Sequence, residues 1–291
     1  MAQHIIMMFE NKFRELVVEP GEVGFKKIRI AKILEYLHAG NDVIHCVDHR
    51  NVHYIIKFSR HDDADFNNEI SMLESMKQFD WLHTPNVIES GEHKGIEYIV
   101  LSYVQGCRIS QQMDVYKKNQ NLYCNKFGEN IGRIHKIEGN YAHAKKRKFH
   151  SVVENTKNDQ NIEIINAWLA ENAAPNGCEC FVHGDHHYAN ILWFKNGISG
   201  TLDWELAGIG NKEYDLAWSI VVRPGQTFFM TENEETEILN GYLKHNQFDY
   251  KKYEYYKILV ISHFYKYRKE SSEYESWMKK EIKKITGVEM Q

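Results

Sequence analysis

The stretch FVHGDHHYANILWFKNGISGTLDWELAG, Phe181 to Gly208, constrains this chain more than any other. Asp185 and Asn190 stand five residues apart in it, and the strand-like run Ile198 to Leu202 then delivers a second acid, Asp203. An Asp and an Asn on one short loop can face a shared cleft, with the second Asp arriving from an adjacent hairpin. Phosphoryl transfer needs such a set: a carboxylate to accept a hydroxyl proton, and oxygen ligands to hold magnesium on the phosphates. The same stretch is rich in histidine, so a metal cage and a polar turn are the competing readings.

A site of this kind also needs a lysine on a strand and a glutamate on the next helix. Lys57 lies in YIIKF, an otherwise apolar strand where an unpaired ammonium is costly. Glu69 follows twelve residues later, in the first turn of an expected helix, and reaches Lys57 if that helix packs behind the strands. Taken singly, they read as a strand-edge lysine and a first-turn glutamate favoured by the helix dipole. The four positions Lys57, Glu69, Asp185 and Asp203, with Asn190 between the last two, reverse that balance.

The rest of the chain supplies a frame. Its 291 residues exceed what one small core holds, which predicts two lobes. With 43% apolar and 26% charged residues, disorder and fibre are excluded. A net charge of −4 offers no whole-chain basic field for nucleic acid, and the run Lys145 to Lys148 reads as a solvated face. The apolar cluster Ile5 to Phe9 is shorter than a signal-peptide core and lacks a cationic start. No segment approaches the length of a membrane span. Five scattered cysteines do not form a secreted disulfide framework, so a cytoplasmic protein with free thiols is expected.

Strand-like segments KKIRIAKILEYL, NDVIHCV and VHYIIKF predict an antiparallel meander between about residues 28 and 58. Asp65 to Phe79 reads as a helix with Ile70, Leu73, Met76 and Phe79 on one face. NVIESGEHKGIEYIVLSYV then reads as a hairpin turning at Glu92 to Gly95. Beyond Gly106 the chain becomes mostly helical, with helices expected over Asn125 to Ile137, over Asn161 to Leu169 and from Glu232 onward. An α+β architecture follows, with a small antiparallel-sheet lobe over residues 1–103 and a larger, mostly helical lobe over residues 104–291.

HGDHHYAN followed by LDWELAGIGNKEYDLAW resembles the signature of the aminoglycoside phosphotransferase and choline kinase-like family, relatives of the protein kinases. The resemblance extends over most of the chain and implies a bilobal protein kinase-like fold. It implies Asp185 as catalytic base, Asn190 and Asp203 as magnesium ligands, and Lys57, held by Glu69, as anchor for the phosphates of ATP or GTP. LSYVQG is similar to the linker that binds the adenine, which marks Ser102 and Tyr103. FGENIGRIHKIEG is similar to the helix ahead of the catalytic loop, and Asp215 in EYDLAW falls where the family has a buried Asp that orders the loop. His183 is expected to bond the backbone around that loop, and His186 and His187 to be loop residues, His187 near the acceptor.

The sequence departs from the protein kinases in two places. The first turn, HAGNDVIHCV, has a single glycine, which leaves Gly40, Asn41 and Asp42 as the expected phosphate neighbours. Trp204-Glu205 stands where protein kinases have Phe-Gly, and both residues are assigned to the acceptor side. Two rival classes fit the same residues less well. Cys178, Cys180, His183, Asp185, His186 and His187 are suitable donors for the metal cage of a hydrolase, but C-x-C-x-x-H is not a usual zinc spacing. A dead nucleotide-binding module would lack the base, a metal ligand or the lysine, and all are present.

The acceptor is only hinted at. Glu232, Glu234, Glu235 and Glu237, with Glu270, Glu273 and Glu275, suit a cationic molecule, and Trp204, Trp218, Tyr253 and Phe264 offer cation-π faces. Solvated helix faces and core aromatics account for the same residues equally well. The expectation is a magnesium- and nucleotide-dependent kinase of a small, amine-bearing alcohol, aminoglycoside-like ahead of choline- or ethanolamine-like. It is further expected to be a monomer or weak dimer with no nucleic-acid or membrane partner.

Overall fold

A computed structural model describes residues 15–37, 40–61, 64–139, 144–147, 149–155, 159–172 and 179–290. The apolar cluster Ile5 to Phe9, Ala39 of the first turn, Lys148 and Cys178 lie outside them. Contacts divide the chain into two units: residues 1–107 with 190–194 and 199–206, and residues 108–189 with 195–198 and 207–291.

The first unit is built on an antiparallel sheet of strands β1 (Ile30–Tyr36), β2 (Asp42–Asp48), β3 (His53–Phe58), β4 (Val87–His93) and β5 (Ile96–Ser102), in the order β1-β2-β3-β5-β4. The alternation along these strands sends Ile44, Cys46, Tyr54, Ile56, Phe58, Tyr98 and Val100 into one core. Lys57 therefore belongs to the opposite face, in register with Val43 on β2 and Ile99 on β5. The β4–β5 hairpin closes at Lys94-Gly95, both at positive φ. Helix α1 (Phe66–Met76) is capped by Asp65, whose side chain accepts from the Asn68 N–H. It buries Phe66, Met72, Leu73 and Met76 and packs against β4 and β5. It stops three residues short of the expected end, so Phe79 falls in the following turn.

In the second unit, helices α2 (Met113–Lys118) and α3 (Gln120–Ile134) precede α4 (Gln160–Glu171) and strand β6 (Glu179–Val182). A short hairpin, β7 (Ile191–Phe194) with β8 (Gly197–Thr201), follows and contributes most of its residues to the first unit. Strand β9 (Gly208–Asn211) then pairs with β6. Helices α5 (Lys212–Ile220), α6 (Glu232–Leu243), α7 (Tyr250–Phe264) and α8 (Ser272–Thr286) complete the chain.

Helix α3 begins five residues earlier than the sequence suggested and packs on α6 at very close range. A Cβ placed on Gly128 would fall 1.8 Å from the Ile238 carbonyl oxygen, and one on Gly241 2.0 Å from that of Asn125. The FGENIGRIHKIEG helix thus uses glycine to let two backbones touch. Among the described residues no helix is long and apolar enough to cross a membrane.

Candidate active site

The first unit gathers four charged side chains from three elements. Lys57 Nζ on β3 lies 2.9 and 2.7 Å from the Glu69 carboxylate oxygens on α1, and 2.8 Å from Asp203 Oδ1 beyond β8. Glu69 is fully buried and Lys57 nearly so. Burial alone would favour neutral Lys57, but Asp203 and Glu69 outweigh it and hold the ammonium well above the ordinary lysine range. Asp203 adopts a left-handed backbone, φ +66°, uncommon for a non-glycine residue.

Carboxylate oxygens of Glu69, Asp203 and Glu205 lie within 4.8 Å of one another. Hard oxygen donors of this kind suit magnesium rather than zinc. Asn190 ends the turn Tyr188–Asn190, belongs to the same unit as Asp203, and accepts the Leu202 N–H on its carbonyl at 2.8 Å.

Glu205, assigned to the acceptor side, places its carboxylate in the Glu69–Asp203 cluster, and the Asn68 side chain donates to its carbonyl at 2.8 Å. Trp204 is a correction. It is fully buried, with its indole N–H on the Thr201 carbonyl at 2.9 Å, so it offers no face to an acceptor. Asp42, expected beside phosphates, is also sealed. Arg60 bonds both its oxygens at 2.9 and 3.0 Å and the Val17 N–H adds a third contact, so Asp42 braces the first turn. Asn41 accepts from the Arg60 N–H at 3.3 Å, and Gly40 is buried beside it. Ser102 Oγ accepts the Asn86 N–H at 2.8 Å. Tyr103 is exposed and stacks on His45, ring centres 4.5 Å apart.

In the second unit the loop after β6 carries Asp185. Its Oδ1 accepts the Trp218 indole N–H at 2.8 Å, and His187 Nε2 lies 3.7 Å from Oδ2. Burial pushes this carboxyl up, but His187, the Trp218 N–H and Arg223 together outweigh it and hold it well below the ordinary carboxylate range.

The loop is tied from beneath by Asp215 on α5, which is fully buried. Its two oxygens accept the His183 and Gly184 N–H groups at 3.2 and 3.0 Å, and His135 Nε2 lies 3.0 Å from Oδ2. Gly184 takes φ +79°, a conformation that favours glycine. His183 is buried, and its Nδ1 accepts the Asp185 N–H at 3.3 Å.

His186, read as a plain loop residue, is instead a buried strut between Asn130 Oδ1 at 2.9 Å and Ser219 Oγ at 3.1 Å. Burial holds it neutral. Arg147 is likewise no solvated charge, because it donates to the Gly184 carbonyl from Nε and Nη2 at 3.2 and 3.0 Å. Sequence reasoning missed His135, Arg147 and the contact of Trp218. Only the placement of His135 on the helix ahead of the loop hinted at a role.

The hydrolase cage does not assemble among the described residues. Cys180 turns its thiol to the Phe181 carbonyl, and the one cluster of three such ligands found there is the carboxylate group above.

A model described as the phosphotransferase enzyme family matches residues 36–256, more than half of the chain. No curated protein matches the sequence. Among solved structures, spectinomycin phosphotransferase APH(9)-Ia, in complex with ADP and spectinomycin, is 16% identical with TM-score 0.59, over 88% of this chain and 90% of that one. A thermostable mutant of aminoglycoside phosphotransferase APH(4)-Ia is 14% identical with TM-score 0.63, over 89% and 94%. A putative fructosamine-3-kinase from Haemophilus somnus 129PT is 18% identical with TM-score 0.53, over 89% and 92%. At such identities the likeness establishes the shared fold.

Proposed function

Because this chain belongs to the phosphotransferase enzyme family, we propose that it transfers the γ-phosphate of a nucleoside triphosphate to a hydroxyl of a small, amine-bearing acceptor of the aminoglycoside kind. The observation that carries this reading is the convergence of Lys57, Glu69 and Asp203 from strand, helix and hairpin.

Lys57, held by Glu69, anchors the phosphates, and Ser102 and Tyr103 border the base. Gly40 and Asn41 line the phosphate side. Asp203, Asn190 and Glu205 would hold magnesium, which when bound neutralises phosphate charge. Asp185 orients the acceptor hydroxyl and takes its proton, with His187 beside it. As the new O–P bond forms, the bond from the γ-phosphorus to its bridging oxygen breaks and the nucleoside diphosphate leaves. The first unit then serves the nucleotide and the second the acceptor, in a cytoplasmic monomer or weak dimer.

Similar structures that hold ADP with spectinomycin, or AMP-PNP with hygromycin B, support both the nucleotide and the acceptor class. The test is a coupled nucleotide-consumption assay over aminoglycosides, choline, ethanolamine and other amino alcohols, with magnesium present and then chelated. Turnover of an aminoglycoside that stops on chelation is expected. Turnover of choline or ethanolamine alone moves the acceptor class, and an inert panel with no metal-dependent nucleotide binding sinks the reading.

A further inference from the structure

We propose that Trp218 is a positioning residue for Asp185: its indole N–H holds one carboxylate oxygen, and Arg223 packs on the indole and fixes it, so that the other oxygen is presented to the acceptor hydroxyl. The proposal rests on the phosphotransfer reading above.

A carboxylate turns easily about its last bond, and a hydrogen bond from a ring that cannot move removes that freedom. Trp218 is 3% exposed on α5, and its Nε1 reaches Asp185 Oδ1 at 2.8 Å across thirty-three residues of chain. A buried indole N–H needs a partner, and here the partner is the acid itself. The Arg223 guanidinium, 1% exposed, lies 4.5 Å from the Trp218 ring and 4.6 Å from that of Phe264, and the two rings meet at a 39° tilt with centres 5.5 Å apart, so one cation serves both faces. Its Nη2 donates to the Trp218 carbonyl at 2.7 Å and its Nη1 to that of Val221. These partners are neutral carbonyls, and the charge of Arg223 also helps to keep Asp185 ionised.

His150, His186 and His187 also act on this carboxylate. Burial holds His150 and His186 neutral, and His186 is already committed to Asn130 and Ser219. In this proposal Oδ2, with His187 Nε2 3.7 Å away, takes the acceptor proton as the O–P bond forms, while Oδ1 keeps the indole N–H.

Trp218→Phe retains a stacking ring and deletes the donor. We expect kcat to fall about 100-fold, with the KM for nucleotide unchanged and the acid limb of the kcat profile moved to higher pH. Two readouts need no acceptor. With 13C-labelled aspartate, the titration midpoint of the Asp185 carboxyl is expected to rise in Trp218→Phe. With 15N-labelled tryptophan, the Trp218 indole resonance is expected to move in Asp185→Asn, a measurement that stands even if Trp218→Phe does not fold.

An Asp185 titration unchanged in Trp218→Phe, or an indole resonance unmoved in Asp185→Asn, overturns the proposal. Should no acceptor be turned over while both spectroscopic shifts appear, the contact is supported and the phosphotransfer reading fails instead.

Discussion

Lys57 Nζ lies 2.8 Å from Asp203 Oδ1, although 146 residues separate them in the chain. The same ammonium bonds both oxygens of Glu69, so one cation answers two carboxylates. Each charge is tolerable only because the others are present. Replacing Lys57 by Met strands a fully buried Glu69 beside Asp203, and breaking such a group costs about 3–5 kcal/mol. Urea unfolding is expected to show a loss of that order. The double change Lys57→Met with Glu69→Leu should recover part of it, since an apolar replacement leaves no bare charge.

Asp185→Asn keeps the shape of the side chain while removing the base and its charge. Acceptor phosphorylation is expected to drop by about 10²–10⁴-fold, with melting temperature and nucleotide affinity nearly unchanged. Single-turnover kinetics beside a nucleotide titration separate the two effects, and retained turnover would remove Asp185 from the role of base.

Asp203→Ala deletes one oxygen donor from the Glu69–Asp203–Glu205 cluster. Calorimetric titration of nucleotide should show tight binding only with magnesium in the parent, and weak, metal-indifferent binding in the variant. A parent whose nucleotide affinity ignores chelator contradicts the assignment.

His150 and His263 stack with ring centres 3.7 Å apart. Burial, then the nearby Arg147 charge, pushes His150 down to about 4; burial, then His150, pushes His263 down to about 3. Both are neutral in the fold, whereas the unfolded chain protonates them near the ordinary histidine value of about 6.5. Below that value the unfolded state binds more protons. Stability should therefore be level above about pH 6.5 with respect to these groups, and fall as pH drops toward 4 and then 3. Denaturant midpoints across this range should decline less steeply in His150→Phe and His263→Phe.

Gly128→Ala tests the close contact of α3 and α6. The added methyl would meet the Ile238 carbonyl at 1.8 Å, a backbone atom that cannot swing aside. A loss of about 1–3 kcal/mol or more is expected from thermal unfolding, whereas Gly21→Ala, where nothing lies within 4 Å, should be close to neutral.

Much of the fold could be read in advance wherever a contiguous pattern carries it. Alternation located β2 and β3, and a three-residue spacing located α1. Helix ends depart from the pattern: α1 stops before Phe79 and α3 starts at Gln120, because tertiary packing sets termini more than periodicity does. At the site, the residues needed for chemistry were visible from type and spacing, but side-chain direction was not. Trp204 and Glu205 are adjacent, yet one enters the core and the other joins Glu69 and Asp203.

The sequence by itself determined which chemistry is available: an acid and an amide five residues apart, a second acid after a hairpin, and a lysine and a glutamate twelve residues apart. Those are properties of neighbouring residues and survive without knowledge of the fold. Only the tertiary structure decided that His135 and Asp215 lie beneath the loop of Asp185, that His186 is a strut, and that Trp218 holds the acid in place. Each of these contacts joins segments 31 to 80 residues apart. Such distances are closed by the packing of α3 and α5 about the loop, and no local pattern records them.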